Sequence, residues 1–173
     1  MPQWNPEQVH HVDNASELLK RYTAGKRGFI EVDLSGADLH DMNLEDVLLW
    51  QADLQGANLS GVNLRNAHLF ANLDHADLSC ADLTQARLTC ASLQVANLTQ
   101  AKFFKTSLKG ADLRGADLSQ AKFVYADLED ADLRGANLQG VMFYKVNLYH
   151  TNFQETNLDE ALVLETDLLD SIV

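Results

Sequence analysis

The chain has 173 residues, with 13 basic and 25 acidic side chains and a formal net charge of −12, a balance that excludes a strongly basic nucleic-acid-binding surface. No run of 18 apolar residues and no basic, hydrophobic N-terminal signal segment is present, so membrane spanning and secretion are not expected and the cytoplasm is the expected compartment. The chain also lacks G-x-x-x-x-G-K-[ST], H-E-x-x-H, G-x-S-x-G and paired C-x-x-C patterns. These arrangements cradle phosphate, hold zinc or position a nucleophile, so neither an enzyme nor a cofactor is expected.

Residues 1–13, with two prolines, Trp4 and the pair His10–His11, read as a loose leader. Residues 14–25 read as a capping helix. Asn14 to Glu17 has the spacing of a capping box, Leu18, Leu19 and Tyr22 supply an apolar stripe, and Gly25 supplies a stop.

From residue 26 to residue 173 the sequence repeats every five residues. Counting from Leu34 to Leu69 and again from Leu73 to Val173, 29 central positions hold 23 Leu, four Phe and two Val. Two residues earlier in each unit stand 18 Ala, five Val, four Thr, one Met and one Ser. A period of five fits neither a helix, at 3.6, nor a strand, at two. It fits a coil with several equal sides, in which the central residue and the one two before it point inward. Stacked coils about 4.8 Å apart then cover one another's leucines. The helix at 14–25 would cover the open N-terminal end.

Units such as ADLSQ, ANLTQ, ADLRG and ANLQG resemble the A(D/N)LXX pattern of the pentapeptide-repeat proteins from about Phe29 onward. The short helix followed by TAGKRGF and ADL-type units is similar to cyanobacterial members of that family, among them regulators of heterocyst development. The resemblance implies an all-β solenoid, a right-handed quadrilateral β-helix with four units per coil and about seven coils. We number its sides from Leu73, Leu78, Leu83 and Leu88 as one to four. Cys80 and Cys90, two units apart, then lie on opposite sides, which disfavours a disulfide between them. His40, His68, His75 and His150 face outward without clustering, so no metal site is expected.

Candidate binding residues are those where the outer surface departs from the repeat. On side three the central residues Leu83, Phe103, Phe123, Phe143 and Val163 are expected to stack internally. The outward residues just after them are Thr84, Phe104, Val124, Tyr144 and Leu164, where other units carry Ser, Arg, Gln or Thr. Tyr125 lies beside this stripe, as do Lys102, Lys105, Lys122 and Lys145, a local reversal of sign in an acidic chain. On side four, Trp50 and Phe70 form a second apolar spot. The step from Leu69 to Leu73 is one residue short; either it counts as one side, or the two halves are rotated about the axis.

Side two carries a polar ladder of Asp38, Asn58, Asp77, Asn97, Asp117, Asn137 and Asn157, and side one interleaves Arg114 and Arg134 with its aspartates. The crowded last coil, with Leu164, Leu168, Leu169, Ile172 and Val173, needs a cover, either an end-to-end homodimer or a compact turn of a monomer. The expected function is a non-catalytic module that binds another protein, a regulator of signalling or differentiation. The alternative, by resemblance, is a DNA mimic that binds gyrase or topoisomerase through the acidic sides.

Overall fold

The computed structural model describes residues 9–11, 14–168, 170 and 171; Trp4, Leu169, Ile172, Val173 and the rest of the leader lie outside the described residues. Helix α1 (Ala15–Thr23) starts at Asn14, whose side chain accepts a hydrogen bond from the Glu17 backbone N–H at 3.1 Å. Only this half of the expected capping box forms, because the Glu17 carboxylate accepts instead from Arg21 Nε at 2.8 Å. The helix ends as a glycine-terminated turn. Gly25 takes φ +87° and its N–H donates to the Tyr22 carbonyl, while Lys26 N–H donates to the Arg21 carbonyl. Leu18 is fully buried against the first coil, and the Tyr22 hydroxyl donates to the Glu45 carbonyl at 2.8 Å. The helix is therefore a cover, as its apolar stripe requires.

Each position of the five-residue unit has a backbone reason, and the unit Leu73 to Asp77 shows all of them. Leu73 and His75 donate to Ser92 and Gln94 of the following coil, and Asp77 donates back to Ala57 of the preceding one. Ala76 N–H closes a tight turn onto the Leu73 carbonyl at 3.1 Å, which requires the left-handed backbone seen at His75, φ 60°. The remaining donor, Asp74 N–H, is taken by the Asn72 side chain at 3.1 Å. The Asp or Asn before each leucine thus satisfies an amide that the coil-to-coil ladder leaves over, and a small residue two before it fits inside the corner.

Among the described residues, seven β-strands depart from this turn-by-turn path along the coils. On side four, β2 (Gly28–Ile30), β3 (Leu48–Asp53) and β4 (His68–Asn72) pair in parallel. On side three, β5 (Lys102–Phe104), β6 (Lys122–Val124), β7 (Met142–Tyr144) and β8 (Leu162–Leu164) do the same. All seven occur where the Asp or Asn is missing and the residue after the centre is β-branched, aromatic or Leu. Without a side chain to stabilise the turn, and with bulky residues that favour extended backbone, these units straighten, whereas Arg87–Leu88–Thr89, which also lacks the Asp or Asn, keeps its turn. An eighth strand, β1 (Val9–His11), pairs with β2, so part of the segment expected to be a loose leader extends the side-four sheet.

The short step at Leu69 counts as one side. Trp50 pairs with Phe70 and then Ala52 with Ala71, so Gln51, at φ 53°, bulges out as the residue without a counterpart. Pairing continues at a spacing of 19 for one coil, Asn58 with Asp77 and Asn63 with Asp82, and returns to 20 at Asn72 with Ser92. The two halves of the rod therefore keep the same four sides.

The core is one continuous cluster of the central residues and their small partners. Phe103, Phe123 and Phe143 stack inside side three, with ring centroids 4.4 and 5.2 Å apart. Two ends depart from the inward rule. Met42, in the first coil, is exposed although Leu39 and Leu44 beside it are buried, and Leu158, Ala161, Val163 and Leu168 in the last described coil are only partly buried.

Candidate protein-interaction face

Alternation along β5 to β8 places the middle residue inward and its two neighbours outward. The register is one-to-one, so Phe104, Val124, Tyr144 and Leu164 form one outward column, and Lys102, Lys122, Met142 and Leu162 form a second beside it. Phe104 is 37% exposed, Leu164 41% and Leu162 49%. Thr84, which precedes Phe104 in the column, is buried, so the apolar stripe begins at Phe104. Among the outward-facing residues, sequence reasoning passed over Met142 and Leu162. Their signal was the two-residue alternation within a strand, hidden because the surrounding sequence reads as turns.

Tyr125 and Lys105 stand at the corner after the strands, both in left-handed backbone. Tyr125, 46% exposed, meets Phe104 and Tyr144 edge to face, at centroid distances of 6.0 and 5.6 Å. Lys105 Nζ lies 5.3 Å from the Phe104 ring centre, and Lys145 Nζ lies 5.2 Å from that of Tyr144 and 5.8 Å from that of Tyr125. Lys145 also pairs with Glu165 at 3.1 Å. The hydrogen bonds to Glu165 first, and then to Tyr144, hold its ammonium above the ordinary lysine range. The structure thus brings together Phe104, Lys105, Val124, Tyr125, Tyr144, Lys145 and Leu164, with Lys102 and Lys122 along one flank.

Trp50 and Phe70 lie apart from this face, on side four of the N-terminal half. Their rings stack at 4.4 Å, each half-buried. Below them the bulge at Gln51 leaves an open groove lined by Ala52, Ala71, Thr89 and Cys90. Tyr149 and Val95 are exposed elsewhere as single residues. Cys80 and Cys90 are free thiols.

The acidic sides are largely self-satisfied. On side two, Asn58, Asn97 and Asn137 each donate to the aspartate of the preceding coil, Asp38, Asp77 and Asp117, at 3.0 to 3.1 Å. On side one, Arg114 grips Asp112 at 2.7 Å and Arg134 grips Asp132 at 2.6 Å, and these bonds hold both carboxyls below the usual range. Among the described residues no group of His, Cys, Asp and Glu could hold a metal ion, and no helix is long and apolar enough to cross a membrane.

A solenoid of five-residue sides that keeps its variable residues on the outside defines a scaffold of the quadrilateral β-helix class. A family model for pentapeptide repeats matches eight copies over residues 29–69, 70–103, 101–140 and 121–159, and the chain belongs to the pentapeptide-repeat family. Among solved structures, a pentapeptide-repeat protein of the Arabidopsis thaliana thylakoid lumen is 37% identical at a TM-score of 0.50, over 51% of this chain and 63% of that one. HetL, a pentapeptide-repeat protein involved in heterocyst differentiation regulation in the cyanobacterium Nostoc sp. strain PCC 7120, is 30% identical over 93% of this chain and 95% of its own, at a TM-score of 0.36. QnrB1, a plasmid-mediated fluoroquinolone resistance protein, shares the fold at a TM-score of 0.53 and 14% identity, over 92% of this chain and 93% of its own. No curated protein gives a significant match.

Proposed function

We propose that this protein is a non-catalytic, cytoplasmic interaction module that regulates another protein by capturing it on side three of the C-terminal coils. The observation that carries this reading is the outward column of Phe104, Val124, Tyr144 and Leu164, in register over three coil steps and extended sideways by Tyr125. At about 4.8 Å per step the column is about 14 Å long. Exposed apolar surface of a few hundred Å² on one face is of the size that marks an interaction site. The rod is held by backbone ladders on all sides, so the surface is preformed and binding orders little of it.

The acidic sides offer a weaker basis for gyrase or topoisomerase binding, since their carboxylates already accept hydrogen bonds from Asn and Arg of the same rod. Affinity capture from a lysate of the source organism, with wild type beside the Phe104→Ser/Tyr144→Ser variant, tests the proposal. A protein retained by wild type and lost by the variant is the expected result. Gyrase subunits retained equally by both would overturn it and move the function to the acidic sides.

A further inference from the structure

Lys102 and Lys122 are direct neighbours in the β5–β6 pairing. Like charges placed opposite each other on paired strands destabilise the sheet. Among the described residues neither lysine has a carboxylate partner. Asp82, which precedes Lys102 in the same column, is taken by Arg65 at 3.2 Å. The corner residues just before the lysines, Gln100 and Gln120, are neutral and bonded to each other at 3.1 Å. In a chain of net charge −12, this is an uncompensated positive edge running alongside an apolar stripe.

We propose that the side-three face receives an acidic amphipathic α-helix of a partner protein, laid along the rod axis with its carboxylates over Lys102 and Lys122. The inference rests on the protein-binding reading above and specifies what binds. Its first support is electrostatic complementarity: carboxylates on the partner would supply the counter-charge that the rod withholds. The second is the state of the backbone. Between the ends of the β5–β8 sheet every strand is already paired on both sides, so the face offers side chains but no free amides or carbonyls. A partner that docks there must satisfy its own backbone, as a helix does and an added strand does not.

Spacing agrees with this. Successive turns of a helix rise about 5.4 Å against about 4.8 Å for successive coils, so three turns stay within about 2 Å of three coil steps. Residues 102 and 104 both face outward two positions apart, about 7 Å. A helix seated on the stripe can therefore reach the lysine row with side chains on one flank. The lysine column becomes Met142 and Leu162 toward the C-terminal end, so the carboxylates belong at one end of the helix and apolar residues at the other. On the opposite flank Lys145 already has Glu165 and Lys105 lies over the Phe104 ring, so Lys102 and Lys122 are the adjacent pair of lysines on which charge selectivity is expected to rest.

The test is selection of binders from a display library of random peptides of about 16 residues, roughly four helical turns, on wild-type protein, with scoring on two variants. One is Phe104→Ser/Tyr144→Ser and the other Lys102→Glu/Lys122→Glu, each first checked for a wild-type circular dichroism spectrum. The expected binders carry apolar residues at i, i+3 or i+4 and i+7 with Asp or Glu on one flank, and turn helical on binding. They also lose affinity on both variants, about tenfold or more on the lysine one. Binders that need Phe104 and Tyr144 but are proline-rich, uncharged or indifferent to the lysine change overturn the acidic helix and leave the interaction face standing. Binders insensitive to both variants, or no enrichment, overturn both.

Discussion

Phe103 and Phe104 are neighbours in sequence and in one strand, and they end in opposite environments. Phe103 is sealed between coils and stacked on Phe123, whereas Phe104 stands outside with a lysine beside its ring. The same division repeats 20 residues later with Phe123 and Val124, and again with Phe143 and Tyr144. One column is required by the fold, because a five-residue side must present a large apolar residue to the coils above and below. The other is not required by anything in the rod, since most units place a polar or charged residue there without loss of the coil. Columns of equal hydrophobicity therefore carry different obligations, and substitutions can separate them.

The largest effect is expected on the inner column. Phe123→Ala leaves a cavity between two stacked rings and should cost about 3 to 5 kcal/mol, read as a fall in the urea midpoint at an unchanged slope. A loss below about 1 kcal/mol would mean that the coils collapse around the gap and that the column is less obligatory than its burial implies.

A smaller effect within the core tests the residues that replace alanine. Thr106 is buried and its hydroxyl donates to the Leu83 carbonyl at 2.7 Å, a carbonyl that also accepts from Ala86 N–H at 3.0 Å. Because that second donor remains, Thr106→Val should cost only about 1 kcal/mol by the same measurement. A cost equal to that of the phenylalanine truncation would show that the hydroxyl closes the corner of side three.

The outer column should respond in the opposite way. Phe104→Ser and Tyr144→Ser remove surface that is partly exposed and are expected to cost about 1 kcal/mol or less each, while partner capture is lost. If they unfold the protein as severely as Phe123→Ala, the stripe belongs to the core and the comparison between the two columns fails.

Much of this was legible before any coordinates, for a physical reason. A solenoid converts sequence spacing directly into spatial position, so a 20-residue step from Phe104 reaches Val124 on the same side, and the stripe could be read off the chain. The inner leucines were legible because each unit repeats one packing problem. The strands were not separately legible: they arise where Lys102, Lys122, Met142 and Leu162 replace the turn-forming Asp or Asn, and the sequence shows that replacement only as scattered exceptions. The bulge at Gln51 was also hidden. The missing residue falls after Phe70, but its consequence is carried by the neighbouring coil, through pairing that spacing alone leaves open. The pairing of Val9–His11 with β2 was masked by a leader with no repeat to align it.

The smallest expected effect concerns the acidic side one, and it has a defined pH dependence. Arg114 and Arg134 hold the Asp112 and Asp132 carboxyls below their ordinary value through bidentate hydrogen bonds. A carboxyl with a depressed folded-state pKa contributes stability that is present above its unfolded value, near 4, and is lost as the pH falls through the lower folded value. An Arg114→Gln/Arg134→Gln variant should therefore melt slightly below wild type at pH 7. The gap should close as the pH drops below about 4, where the aspartates of both proteins become protonated. Raising the salt at pH 7 should narrow the same gap, because these pairs are partly exposed and screened. A difference that persists unchanged at low pH would assign the role of the arginines to packing of their stems along the rod. Side one would then be held by contact area, as side three is, with charge contributing little to either.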